Sequence, residues 1–146
     1  MTRLPLLVAG LLIGCTTAWT IVPVSPDELT LEIVDEPDRL QFSILLTSSA
    51  SKEICLSREG WPSRGGHTSY GTEARLVIDN GKRTIAAREV DFGYCPGGCG
   101  TFRLKEGETL EGHILYESFG DVDSIRASED RRLEFKVTPY YCRSQN

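Results

Sequence analysis

ELTLEIVDEPDRLQFSILL, residues 28–46, decides the fold. Leu29, Leu31 and Ile33 alternate with Glu28, Thr30 and Glu32, and Leu40, Phe42, Ile44 and Leu46 repeat the same period of two. A strand sends successive side chains to opposite faces, whereas a helix returns apolar residues every three or four positions. The stretch therefore reads as two half-buried strands.

The same pattern extends outward. Leu76 and Ile78 lead into Asp79-Asn80-Gly81-Lys82, with Thr84, Ile85 and Ala87 beyond. Asn-Gly between strand-like runs predicts a two-residue hairpin, because both central positions need positive φ. Phe102 and Leu104 precede the turn Glu106-Gly107-Glu108; Leu110, Ile114 and Tyr116 follow it, and Leu133, Phe135 and Val137 form a last alternating run. No long helical period is visible, and residues 121–131 have room for one or two helical turns. Seven or eight short strands predict an all-β fold, an antiparallel β-sandwich of immunoglobulin-like type, with a small β-barrel as the alternative.

The chain opens differently. Arg3 is the only charge before an apolar run at residues 4–13. That run is shorter than the about 20 residues a membrane span needs, but it suits a signal-peptide core. It ends in Leu12-Ile13-Gly14-Cys15, which resembles the lipobox of bacterial lipoprotein precursors. The resemblance covers residues 1–15 and names a processing class. It implies that residues 1–14 are a signal peptide and that Cys15 becomes the first mature residue, carrying a thioether-linked diacylglycerol and usually a third acyl chain such as palmitate. Two or three acyl chains anchor stably where one does not. The expected location is the cell envelope, lipid-anchored to a membrane through Cys15. Thr16 in place of the Asp that often retains such lipoproteins at the inner membrane implies the outer membrane, facing the periplasm. Residues 15–26 then read as lipidated cysteine and tether, and residues 27–146 as the domain.

Removing Arg3 leaves 15 basic against 21 acidic residues, a net charge of −6. Nucleic-acid binding rests on neutralising phosphates with Lys and Arg, so an acidic body argues against such a partner. It also argues against docking on anionic lipid through a basic patch.

With Cys15 assigned to lipid, Cys55, Cys95, Cys99 and Cys142 remain. An even number in an oxidising compartment predicts two disulfides. The spacer Pro96-Gly97-Gly98 can turn tightly enough to join Cys95 to Cys99, which leaves Cys55 for Cys142. Both members of the second pair are out of step with neighbouring core positions, which predicts a bridge on an outer face. The C-x3-C spacing also falls within the range of zinc sites, with Cys55, Cys142, His67 or His113 to complete the set.

No catalytic constellation is expected. His113 reads as a solvent-facing strand residue. Gly66-His67-Thr68-Ser69-Tyr70-Gly71 fails the spacing of a hydrolase elbow. Asp121-Val122-Asp123 lacks the rest of a calcium loop and reads as a solvated turn. No metal is expected, since the compartment favours disulfides and the further ligands lack a diagnostic spacing, and no cofactor is expected, since phosphate-loop and dinucleotide fingerprints are missing.

REGWPSRGGHTSYG, residues 58–71, is the long connection in an otherwise compact pattern. Arg58, Trp61, Arg64, His67 and Tyr70 make it the candidate binding loop, because such residue types concentrate at interface hot spots. The alternative is that Trp61 plugs the sandwich core. The function expected is a non-enzymatic protein-binding or assembly module with an envelope protein partner. Two rivals stand beside it: an inhibitor or immunity lipoprotein acting on a cell-wall hydrolase or toxin, and a small metal- or redox-active periplasmic protein resting on Cys95 and Cys99.

Overall fold

The structure, a computed structural model, describes residues 21–62, 65–69, 72–91, 93, 95 and 98–143. Nine strands occupy the described residues: β1 Leu29–Glu36, β2 Gln41–Ser48, β3 Ile54–Ser57, β4 Glu73–Ile78, β5 Arg83–Ala86, β6 Thr101–Leu104, β7 Thr109–Leu115, β8 Arg132–Lys136 and β9 Tyr140–Tyr141. They form three antiparallel sheets of order β1-β2-β7, β6-β3-β9 and β5-β4-β8. The chain is an all-β sandwich, with no closed barrel among the described residues.

Alternation explains the layers. On β2 every second residue is buried, and Phe42, Ile44 and Leu46 are at most 1% exposed. They share one core with Ile54 and Leu56 of β3, Leu76 and Ile78 of β4, and Leu133 and Phe135 of β8. Each such side chain contributes roughly 1.5–3 kcal/mol when fully buried. The β4–β5 hairpin forms, but Ile78 pairs with Arg83, so its loop is residues 79–82 and not two residues: Asp79, Asn80 and Gly81 all have positive φ, and Lys82 N–H donates to Asp79 O at 3.2 Å.

Several local expectations need correction. Leu40 continues the period of β2 but lies in the preceding turn at φ +56°; its side chain packs on the core from there. Tyr116 is fully buried, yet β7 ends at Leu115 and Tyr116–Ser118 is a 3-10 turn. Asp121 is no plain turn residue: its Oδ1 accepts from Ser124 N–H at 2.8 Å and caps the one-and-a-half-turn helix α1, Val122–Ala127.

The domain also starts earlier than Asp27. Tyr141 N–H donates to Val22 O at 3.0 Å, and Val24 N–H to Pro139 O at 3.1 Å. Val24 is 8% exposed and belongs to the core. This segment extends the β9 edge, so strand pairing claims residues that read as tether.

The bridges are Cys55–Cys142 and Cys95–Cys99, with Cα atoms 5.0 and 5.1 Å apart. Cys55 alternates with Ile54 and Leu56 as its phase requires, but it is only 6% exposed, so its face is not open to solvent. β3 is the central strand of its sheet, and Cys142 N–H is bonded to Glu53 O beside it at 2.9 Å.

Candidate functional site

The described residues of the connection nominated by sequence are tied down at several points. Trp61 is 3% exposed, meets Phe135 edge-on at 5.7 Å, and donates Nε1–H to Glu111 O on β7 at 3.1 Å. Gly112 makes room for it, since a Cβ there would lie 2.8 Å from Trp61 Nε1. Five residues on, Gly66 O accepts Leu115 N–H at 2.8 Å, and a Gly66 Cβ would collide with Leu115 and His113. The connection thus covers the outer edge of β7, which would otherwise offer unpaired backbone groups. It also covers His113, which is half-buried rather than solvent-facing.

The remaining nominated residues have separate surroundings. His67 places Nδ1 at 3.4 Å from Ser118 Oγ and Nε2 at 3.5 Å from Glu117 Oε1. That Ser–His–Glu proximity is poorly suited to nucleophilic catalysis, because Ser118 is 3% exposed and its hydroxyl also reaches Gly66 O at 3.3 Å. Arg58 lies over the Phe102 ring at 4.9 Å. Arg64 and Tyr70, like Cys15, lie outside the described residues. Glu59 approaches Cys95 and Cys99 closely enough to share an ion, but in the bridged state those sulfurs have no thiolate to offer.

Sequence reasoning missed a sizeable concavity. A half-open cleft of about 940 Å³ lies on the side of the molecule where β1 and β8 are both terminal strands of their sheets. Leu46, Leu56 and Phe135 are among its most buried lining residues, and Leu29 and Leu31 of β1, Val137 and Pro139, and Pro23 and Val24 of the N-terminal segment also line it. Its size falls in the roughly 300–1,000 Å³ range of ligand pockets. Glu73 and Lys136 pair at 3.4 Å on the rim, well exposed, so their attraction is weak.

Beyond Leu29 and Leu31, at the far end of β1, the two strands are pinned. Arg131 Nε donates to Asp35 Oδ2 at 2.8 Å, the Tyr116 hydroxyl donates to Asp35 Oδ1, and the Arg131 guanidinium lies 5.7 Å from the Tyr116 ring centre. Burial, with the Asp35 carboxylate as the second cause, pushes the Tyr116 hydroxyl up to about 12. On the outer face of the β1 sheet, bonds from Ser43 and then Gln41 hold Glu36 below its ordinary carboxylate value.

No family model, curated protein or solved structure matches this chain.

Proposed function

We propose that this protein is a lipid-anchored envelope module that binds a protein partner without catalysis, and that the apolar cleft between β1 and β8 is its binding surface. The cleft carries this reading: it is large, apolar and half-open, and no described element fills it. The Leu12-Ile13-Gly14-Cys15 motif supports anchoring, and among the described residues no helix is long and apolar enough to cross a membrane. Pairing of Val22 with Tyr141 leaves seven residue steps from Cys15, a reach of at most about 25 Å. Pro23 and Val24 line the cleft, so its mouth would stay close to the anchoring leaflet. The 58–71 connection is the weaker candidate, because its largest aromatic among the described residues is spent in the core.

Partner capture from detergent-solubilised envelope tests this. The native protein and a Trp61→Phe variant are expected to retain the same partner. Leu31→Asp, verified as folded by circular dichroism, is expected to lose it. Equal capture by the Leu31→Asp protein contradicts the assignment of the cleft.

A further inference from the structure

β1 is eight residues long and, among the described residues, pairs only with β2, in a register running from Leu29↔Ser48 to Glu36↔Gln41. A terminal strand leaves alternate backbone N–H and C=O groups pointing outward, ready to pair with another extended chain. Such edges are normally covered, as Trp61 and Gly66 cover β7. Among the described residues nothing pairs with β1 in that way. The Asp35–Arg131 bond closes one end of the seam with β8, while the cleft opens beside Leu29 and Leu31.

We infer that the cleft is a strand-addition site, taking an extended partner segment with apolar and basic side chains in alternation. This rests on the proposal that the cleft binds a partner, and it names the partner's chemistry. A strand laid along β1 continues its alternation. Side chains level with Leu29 and Leu31 enter the cleft. Those beside Thr30, Glu32 and Val34, all exposed, lie on the outer face.

That outer face selects the charge. Across the sheet Glu32 aligns with Leu45, and Leu45 aligns with Glu111, so two carboxylates flank one half-exposed leucine. Glu36 stands further along, its ionised form favoured by hydrogen bonds, and Arg39 beside it is already paired at 3.6 Å. A second copy added through its own β1 would bring acidic strands together, and like charges on adjoining strands are destabilising. A Lys- or Arg-bearing strand gains where a second copy loses.

Eight-residue peptides alternating Val–Lys or Val–Glu test this on the mature protein in lipid nanodiscs, read by calorimetry and by backbone hydrogen exchange. The Val–Lys peptide should bind at least tenfold tighter at low salt and slow exchange at alternate residues of β1. Glu32→Lys, a change at an exposed position, should reverse the preference without moving Tm. Equal binding of the two peptides, or slowed exchange away from β1, overturns the inference. So does slow exchange in peptide-free protein at the β1 amides that do not pair with β2, which would mean that a second copy or residues 16–20 already take the edge. If Leu31-dependent capture of an envelope partner persists while β1 exchange is untouched, strand addition is wrong and the cleft remains the binding surface.

Discussion

Arg131 and Asp35, 96 residues apart in sequence, are joined by a 2.8 Å bond from Nε to Oδ2 that fastens β8 to the far end of β1. The same guanidinium donates to Arg126 O at 2.8 Å and to Ser128 O, so one side chain also ends the loop after α1. It is largely buried, with Asp35 somewhat less so. Replacing Arg131 with Met leaves a half-buried carboxylate and open carbonyls, and should cost about 3 kcal/mol, the low end for a broken buried pair. Urea unfolding measures this; a loss under about 0.5 kcal/mol, typical of an exposed pair, would remove the pair from the seam.

Tyr116 should titrate late. Its hydroxyl is raised from 10.0 to about 12, so the folded protein favours the protonated form more than the unfolded chain does. The stability this gives is whole below pH about 10 and is lost as pH rises through the folded value. The bond from the Tyr141 hydroxyl to Glu28 raises that group as well, so tyrosinate absorbance should show delayed titration to which Tyr116 contributes, and Tyr116→Phe should remove its share. An unchanged titration curve in the Tyr116→Phe protein would contradict the assignment.

At Trp61 the expected effect is on stability. Trp61→Ala removes a buried ring packed on Phe135 and should cost about 3–5 kcal/mol. Trp61→Phe keeps most of the packing and loses the bond to Glu111 O, at about 1 kcal/mol. Calorimetric Tm values check both. A Trp61→Ala protein with native Tm and lost partner capture would restore the 58–71 connection as the site.

Much of the fold is legible in the sequence because alternation reports which way a side chain faces. The runs at Leu29–Leu31–Ile33 and Phe42–Ile44–Leu46 are strands for that reason. Alternation does not report neighbours. Nothing local marks β1 and β8 as terminal strands, since that depends on β2 pairing with the distant β7 and β8 with the distant β4, so the cleft they flank is invisible until the chain is folded. Leu40 shows a second limit: an apolar turn residue that packs inward matches the strand period as well as a strand residue does. Trp61 shows a third, because a large ring with one donor suits a core and an interface equally. The Pro-Gly-Gly spacer, by contrast, is local information, and the Cys95–Cys99 bridge it suggests is present.

The two bridges should differ in weight. Cys55–Cys142 spans 87 residues and Cys95–Cys99 spans 4. Chain entropy gives about 4.6 kcal/mol for the first and about 2 kcal/mol for the second. Paired Cys→Ser variants, compared by urea unfolding, should keep that order. A larger loss on removing Cys95 and Cys99 would mean the small ring does more than close a loop.

Photo-crosslinking in intact cells separates the cleft from the loop. A benzophenone side chain placed at position 31 or 137 should give a discrete crosslinked product on the membrane-anchored protein, and one placed at 58 should not. Cys15→Ala should abolish membrane attachment, and with it the product, while leaving Tm unchanged. Crosslinking from position 58 with none from 31 or 137 would contradict binding in the cleft. A membrane-bound Cys15→Ala protein would contradict the lipid anchor.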